Sequence, residues 1–158
     1  MAEEIIIADG VSKTEKYEAL IPQLKSLVES EPDVIANMAN ISAALKEVFG
    51  FFWVGFYIVR DKQLVLGPFQ GPIACTRIRY GRGVCGIAWK AQKPIIVPNV
   101  DEFPDHIACS SLSKSEIVIP IFRQKEVVAV LDVDSEFFNH FDETDEKYLL
   151  EIGELVKF

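Results

Sequence analysis

The stretch "SEIVIPIFRQKEVVAVLDVDS" (residues 115–135) decides how this chain folds. Two β-branched runs, 115–122 and 125–135, flank Arg123-Gln124, a connection of hairpin length that lacks the usual glycine. They read as antiparallel neighbours in a sheet. Alternation puts Glu116, Val118 and Pro120 on one face of the first strand, and Val128, Val130, Asp132 and Asp134 on one face of the second. Pairing through a 123–124 turn is expected to set Glu116 near Val130 to Asp132, so that three carboxylates gather. Like charges that close raise one another's pKa, and such a cluster commonly holds a ligand or a proton. The plainer reading of Asp132 and Asp134 is a strand end reaching solvent.

Upstream, "FFWVGFYIV" (51–59) is aromatic and β-branched and reads as a buried strand. Asp61-Lys62 turns the chain into "QLVLGPF" (63–69), its hairpin partner. The segment "GPIACTRIRY", ending at Tyr80, reads as a third strand. "GRGVCGIAWKAQ" (81–92) reads as a glycine-rich opening to a short helix, and "PIIVPNV" (94–100) as a short strand. In "WVGFY", Trp53, Gly55 and Tyr57 alternate onto one face, which suggests an apolar slot between two rings; core packing is the commoner fate of strand aromatics.

Helical spacing marks both ends of the chain. Residues 14–29 place Tyr17, Leu20, Ile21, Leu24, Leu27 and Val28 on one stripe, with Pro22 a kink or a start point. A second helix is expected from about Pro32 to Val48, with Ile35, Met38, Ala39, Ser42, Leu45 and Val48 on its buried face. A last helix starts near Asp142, capped by Asp142 or Thr144, and buries Tyr148, Leu149, Ile152 and Leu155. Clustered strands flanked by helices define an α+β domain, an antiparallel sheet with helices on both faces. The 158 residues make one domain, 1–158, and 49% apolar residues suffice for its core.

Bulk properties exclude several partners. The net charge of −8 repels phosphate backbones, so nucleic acid is not expected. There is no basic run to dock on an anionic membrane. The longest apolar run, Val48–Val59, has 12 residues, against about 20 for a membrane-spanning helix. "MAEEIIIADG" lacks the basic region and apolar length of a secretory signal. A cytoplasmic protein is expected.

Three widely spaced cysteines, Cys75, Cys85 and Cys109, are not a secreted disulfide framework. In a reducing compartment they are inert packing or redox groups. Cys85, in "GVCGIAW", has the apolar neighbours of a packed thiol, and Cys75 is ambiguous. Cys109, in "HIACSSLSK", lies in the long polar connection 101–114, a candidate functional loop. His106 precedes it by three residues, and His140 is the only other histidine. A zinc site of three cysteines and one histidine would want ligands in close pairs, and no Cys-x-x-Cys occurs, so no metal or cofactor is expected.

"WVGFY", "LVLGPFQGPIAC", "GRGVCG", "HIACSSLSKSEIVIPI" and "VLDVDS" together resemble the free methionine-(R)-sulfoxide reductases, single-domain enzymes of the GAF fold. The resemblance runs from about Trp53 to Asp134. By position it implies that Cys109 is the catalytic thiol and Cys75 its disulfide partner, with Cys85 a third cysteine of less settled role and second choice as resolving thiol. It also implies that Glu116, Asp132 and Asp134 are the site carboxylates and that Trp53 and Tyr57 wall the substrate. Glu116 is expected to act as the general acid. Reduction by thioredoxin is implied as well; a homodimer stays open. The rivals are a non-catalytic GAF sensor of a small ligand, on the same fold, and a zinc-stabilised structural domain. An acidic pocket suits an ammonium better than the phosphate of a cyclic nucleotide.

Overall fold

A computed structural model of the chain describes residues 3–158. In chain order it contains α1 (Lys13–Glu29), α2 (Val34–Phe49), β1 (Trp53–Arg60), β2 (Gln63–Gln70), β3 (Arg77–Arg79), α3 (Gly83–Ala91), β4 (Ile95–Val97), a 3-10 turn (Val100–Glu102), β5 (Ser115–Arg123), β6 (Glu126–Ser135) and α4 (Glu143–Gly153). The strands form one antiparallel sheet in the order β3-β2-β1-β6-β5-β4. The long connection out of β4 returns the chain to β5, so β1, β6 and β5 lie side by side at the centre.

Period-2 alternation sorts these central strands into two layers. Val54, Phe56 and Ile58 of β1, Ile117, Ile119 and Ile121 of β5, and Ala129, Leu131 and Val133 of β6 face α1, α2 and α4. There they meet Leu20 and Leu24, Met38, Ile41 and Leu45, and Leu149 and Ile152. Fully burying such a side chain contributes about 1.5–3 kcal/mol. The opposite face carries Trp53, Tyr57, Val118 and Val130, and packs on Val84, Cys85 and Ala88 of α3 and on Val97 and Val100.

The helix ends follow side-chain chemistry. Ser12 and Glu15 make a capping box at α1, and Asp142 with Asp145 makes one at α4. Helix α1 runs through Pro22, which neither starts nor ends it. Asp33, rather than Pro32, opens α2 by accepting from the Ala36 N–H, and Gly50 closes it at φ 65°, a left-handed turn glycine adopts without strain. The buried face of α2 is rotated from the expected one. Ile35 and Ala39 are exposed, whereas Asn37, Ile41 and Ala44 are buried.

Two expectations for the strands need correction. The third strand covers only Arg77–Arg79, because residues 71–76 are drawn across the sheet instead of along it. The β5–β6 turn falls at Gln124-Lys125, with Gln124 at φ 59°, and a bulge lies between Ile121 and Phe122. Together these shift the register, so Glu116 faces Asp134 and Val118 faces Asp132. No described helix is long and apolar enough to cross a membrane.

Candidate active site

The corrected register builds the floor of a pocket. Glu116 and Asp134 are directly opposed across β5 and β6, and Asp132 sits two residues along on the same face. Each of them lines a pocket walled by Phe52, Trp53 and Tyr57, roofed by Gly83–Cys85 at the start of α3, and rimmed by His106, Ile107, Cys109 and Ser110 of the 103–114 loop. Glu116 and Asp132 are buried, at 6% relative exposure each. No cationic side chain is within ion-pair distance of Asp132 or Asp134 among the described residues.

Burial without a cation pushes all three acids toward their neutral forms. The Glu116 carboxyl rises to about 8, from desolvation first and the Asp134 charge second, against a lowering contact from Asp132. Asp132 is pushed well up by burial and by Glu116. Asp134 moves the same way through the surrounding protein and Asp132, while the Ser113 hydroxyl, donating to its Oδ1 at 2.8 Å, opposes the shift. Asp132 Oδ1 has no hydrogen-bond partner among the described residues. Cys85 lies behind these acids with its Sγ 4.0 Å from Glu116 Oε1, and burial with the acids' charge raises its thiol far from ionisation. Cys85, Glu116 and Asp132 bring one sulfur and two oxygen atoms within 4.8 Å of one another. With the sulfur held as a thiol, the set suits a small hydrogen-bonding cation such as an ammonium.

The other two cysteines meet at the mouth. Cys75 and Cys109 form a disulfide across 34 residues of sequence, with Cα atoms 5.7 Å apart. Cys109 is exposed and Cys75 partly buried. Segment 71–76 reaches Cys109 because the aromatic wall holds it. The Trp53 Nε1–H donates to the Pro72 carbonyl at 3.0 Å, and the Tyr57 hydroxyl donates to the Cys75 carbonyl at 2.9 Å. Gly71, at φ 140°, lies so close to the Trp53 indole that a Cβ there would come within 2.7 Å of it.

The expected slot between Trp53 and Tyr57 is absent, because the two rings stack on each other with centroids 5.9 Å apart, and Phe69 packs over Gly55 beside them. Phe69 stacks on Trp53 with centroids 5.2 Å apart, and a Cβ on Gly55 would stand 2.3 Å from the Phe69 Cβ. Gly55 admits β2 to close packing rather than a ligand. The two rings still line the pocket.

Trp53, Tyr57, Cys85, Cys109, Glu116, Asp132 and Asp134 therefore share one cavity, and Cys75 is bonded to its rim. The four-ligand zinc set does not assemble. Cys75 and Cys109 are bonded to each other, and His140 lies elsewhere, against the Ser135 hydroxyl. Sequence reading missed two contacts. His106, considered only as a metal ligand, places Nε2 3.6 Å from Glu116 Oε2; its spacing from Cys109 was the available signal. Ser113, the donor to Asp134, carried none.

These features define a thiol-disulfide site on an α+β domain, and the comparisons with known proteins place it. The GAF domain family matches residues 33–158. A curated relative, GAF domain-containing protein A of Dictyostelium discoideum, is 61% identical over 99% of both chains. The free methionine-R-sulfoxide reductase of Escherichia coli is 43% identical over 90% of this chain and 87% of its own. A solved structure, the free methionine-R-sulfoxide reductase of Neisseria meningitidis in complex with its substrate, superposes with a TM-score of 0.95 at 50% identity, covering 98% of this chain and 93% of that one. The chain belongs to the GAF domain family and, within it, to the free methionine-R-sulfoxide reductases.

Proposed function

We propose that this protein reduces free L-methionine-(R)-sulfoxide to methionine, with Cys109 as nucleophile and Cys75 as resolving thiol. The observation that carries this reading is the Cys75–Cys109 bond at the mouth of a pocket floored by three uncompensated carboxyls. In the reduced protein, the Cys109 thiolate attacks the sulfoxide sulfur. The sulfoxide oxygen takes a proton as its bond to sulfur breaks, and a carboxylic acid kept protonated by burial supplies it. Glu116 fits that role. Methionine leaves, and Cys109 is left as sulfenic acid. The Cys75 thiol condenses with it, releasing water and forming the disulfide. A thioredoxin-type dithiol then reduces that bond by exchange. Exposure of the Cys109 side supports such access. Burial of Cys85 against Glu116 disfavours it as the resolving thiol.

The floor supports recognition of a free amino acid. An entering ammonium makes ionisation of Asp132 and Asp134 favourable and gives the orphan Asp132 Oδ1 a donor. The substrate carboxylate would meet the first-turn N–H groups of α3, whose N-cap residue, Arg82, makes no side-chain cap. The deciding assay incubates the protein with free methionine sulfoxide and dithiothreitol and measures methionine by chromatography. The (R) epimer should be consumed. A folded, reduced protein that releases no methionine would rule the reading out.

A further inference from the structure

The proposed chemistry moves one proton, and one basic side chain lies beside the acid that would give it. His106 is the one basic side chain among the described residues that line the pocket. It lines the same pocket as Cys109 and Glu116. It belongs to the loop that carries Cys109, three residues on, and its Nε2 is 3.6 Å from Glu116 Oε2 on the floor. Its side chain is 12% exposed, which closes the floor acid off from bulk water. Two main-chain bonds fix the local path: His106 N–H donates to the Phe103 carbonyl at 3.2 Å, and Cys109 N–H to the Ile107 carbonyl at 3.1 Å.

Building on the reductase reading, we propose that His106 is the proton carrier of the site, taking the proton shed by the Cys109 thiol and returning it to Glu116. Cys109 S–H gives its proton to the imidazole, leaving thiolate and imidazolium. The bond that attack forms between Cys109 and the substrate sulfur opens as the oxygen passes to Cys109, so the substrate S–O bond is replaced by an S–O bond on Cys109. The substrate sulfur gains two electrons, Cys109 loses two, and the Glu116 proton ends on the hydroxyl of the sulfenic acid. The imidazolium then protonates the Glu116 carboxylate across the Nε2–Oε2 contact. Thiol and sulfoxide have become sulfenic acid and thioether, and both His106 and Glu116 are back in their starting forms.

The charged surroundings support this order. Glu116 faces His106 from β5, Asp132 and Asp134 lie beside it on β6, and the Cys85 thiol reaches Glu116 from α3. Asp101 acts from the 3-10 turn, and neighbouring Asp105 is paired with Arg82 at 3.3 Å. Burial holds the imidazole below its ordinary pKa, with Asp101 opposing, while Glu116 is held up at about 8. At neutral pH the site therefore rests with the acid loaded and the base empty. Asp132 and Asp134 have no such neighbour among the described residues.

The test uses the reduced full-length protein and the variants His106→Gln and His106→Ala, with methionine formation followed as a function of pH. Tryptophan fluorescence on substrate addition, from Trp53 in the pocket wall with Trp89 on α3 as a constant background, checks that the pocket still forms. Both variants should lose about 10²-fold in kcat, with KM changed by no more than about threefold. Added imidazole should restore much of the His106→Ala rate in proportion to its concentration, an effect a wall residue would not show. An undiminished His106→Gln rate beside an active wild type overturns the carrier role. So does a loss that appears in KM and does not respond to imidazole. A wild type that forms no methionine instead overturns the reductase reading, and the carrier role with it.

Discussion

Asp145 and Asp132 are both buried acids, one on each side of the same sheet. Beneath the helices, Asp145 is answered atom by atom. Lys13 Nζ and the Tyr17 hydroxyl each approach its carboxylate at 2.7 Å, and the Asp142 N–H donates to it at 3.0 Å. On the pocket side, Asp132 neighbours two other acids and a thiol, and one of its oxygens has no partner among the described residues. An ionised group costs several kcal/mol to bury, and the penalty stays unless partners offset it. The network around Asp145 ties α1 to α4, and that is a structural task. The network around Asp132 leaves one acceptor unfilled, which on the proposed function the substrate ammonium would complete. Burial alone does not separate the two acids; the unfilled acceptor on Asp132 does, and it is what makes Asp132 the candidate for binding.

The largest expected effect lies at the rim. Cys109→Ser should abolish methionine formation, because a serine hydroxyl is a far weaker nucleophile than a thiolate at neutral pH. Cys75→Ser should still release about one methionine per protein and then stop without an external thiol, since the resolving thiol acts after sulfenic acid has formed. Quantifying methionine per protein chain separates the two. Retention of that stoichiometric burst by Cys109→Ser would contradict the assignment.

Next comes the contrast between the faces. Glu116→Gln should slow methionine formation by roughly 10²–10⁴-fold and leave the fold intact. Asp145→Asn should do the reverse, lowering stability by about 1–3 kcal/mol through its lost charged hydrogen bonds while sparing the rate of the folded protein. Urea unfolding beside single-turnover kinetics checks both, and similar profiles for the two variants would erase the distinction. A smaller effect belongs to Asp134→Asn, which should weaken substrate binding by about tenfold, as expected for one charged contact, and change the chemical step less. Titrating the protein with methionine sulfoxide reads this directly.

The smallest effect is a slope. Glu116 holds its proton up to about 8 in the folded chain and loses it near 4.5 when unfolded. Between those values the native state binds the extra proton, so this group's stabilisation is fully present below about 4.5 and fades as pH rises toward 8. Its contribution to the slope is at most about 1.4 kcal/mol per pH unit. Glu116→Gln should give a shallower decline across that window in denaturant titrations without ligand.

Sequence patterning made the α+β layering, the central strands and the identity of the pocket acids legible. Alternation along β5 and β6 is a local property, and family resemblance supplied the Cys75–Cys109 pairing seen in the structure. Register was not legible. It depends on a bulge at Ile121/Phe122 and on a turn whose left-handed residue is Gln124 instead of glycine, and neither has a local signature. The Trp53–Tyr57 slot failed for a related reason. A glycine between two rings looks like free volume along one strand, but the rings lean onto each other across it and Phe69 of the neighbouring strand packs against Gly55. Helix α2 has apolar residues around more than one face, so its periodicity alone puts Ile35 and Ala39 inside, and only packing on β1 and β2 selects among the faces.

The Cys75–Cys109 bond also shapes the chain when it is unfolded. A link across 34 residues removes much of the freedom of the denatured chain, which by loop-closure entropy favours the oxidised fold by about 4 kcal/mol. Completion of the oxidative half-cycle would therefore leave the molecule more heat-resistant than it was at the start, and the reductant would lower its melting temperature again. Thermal melting then serves as a gauge of where a population stands between oxidation and recovery.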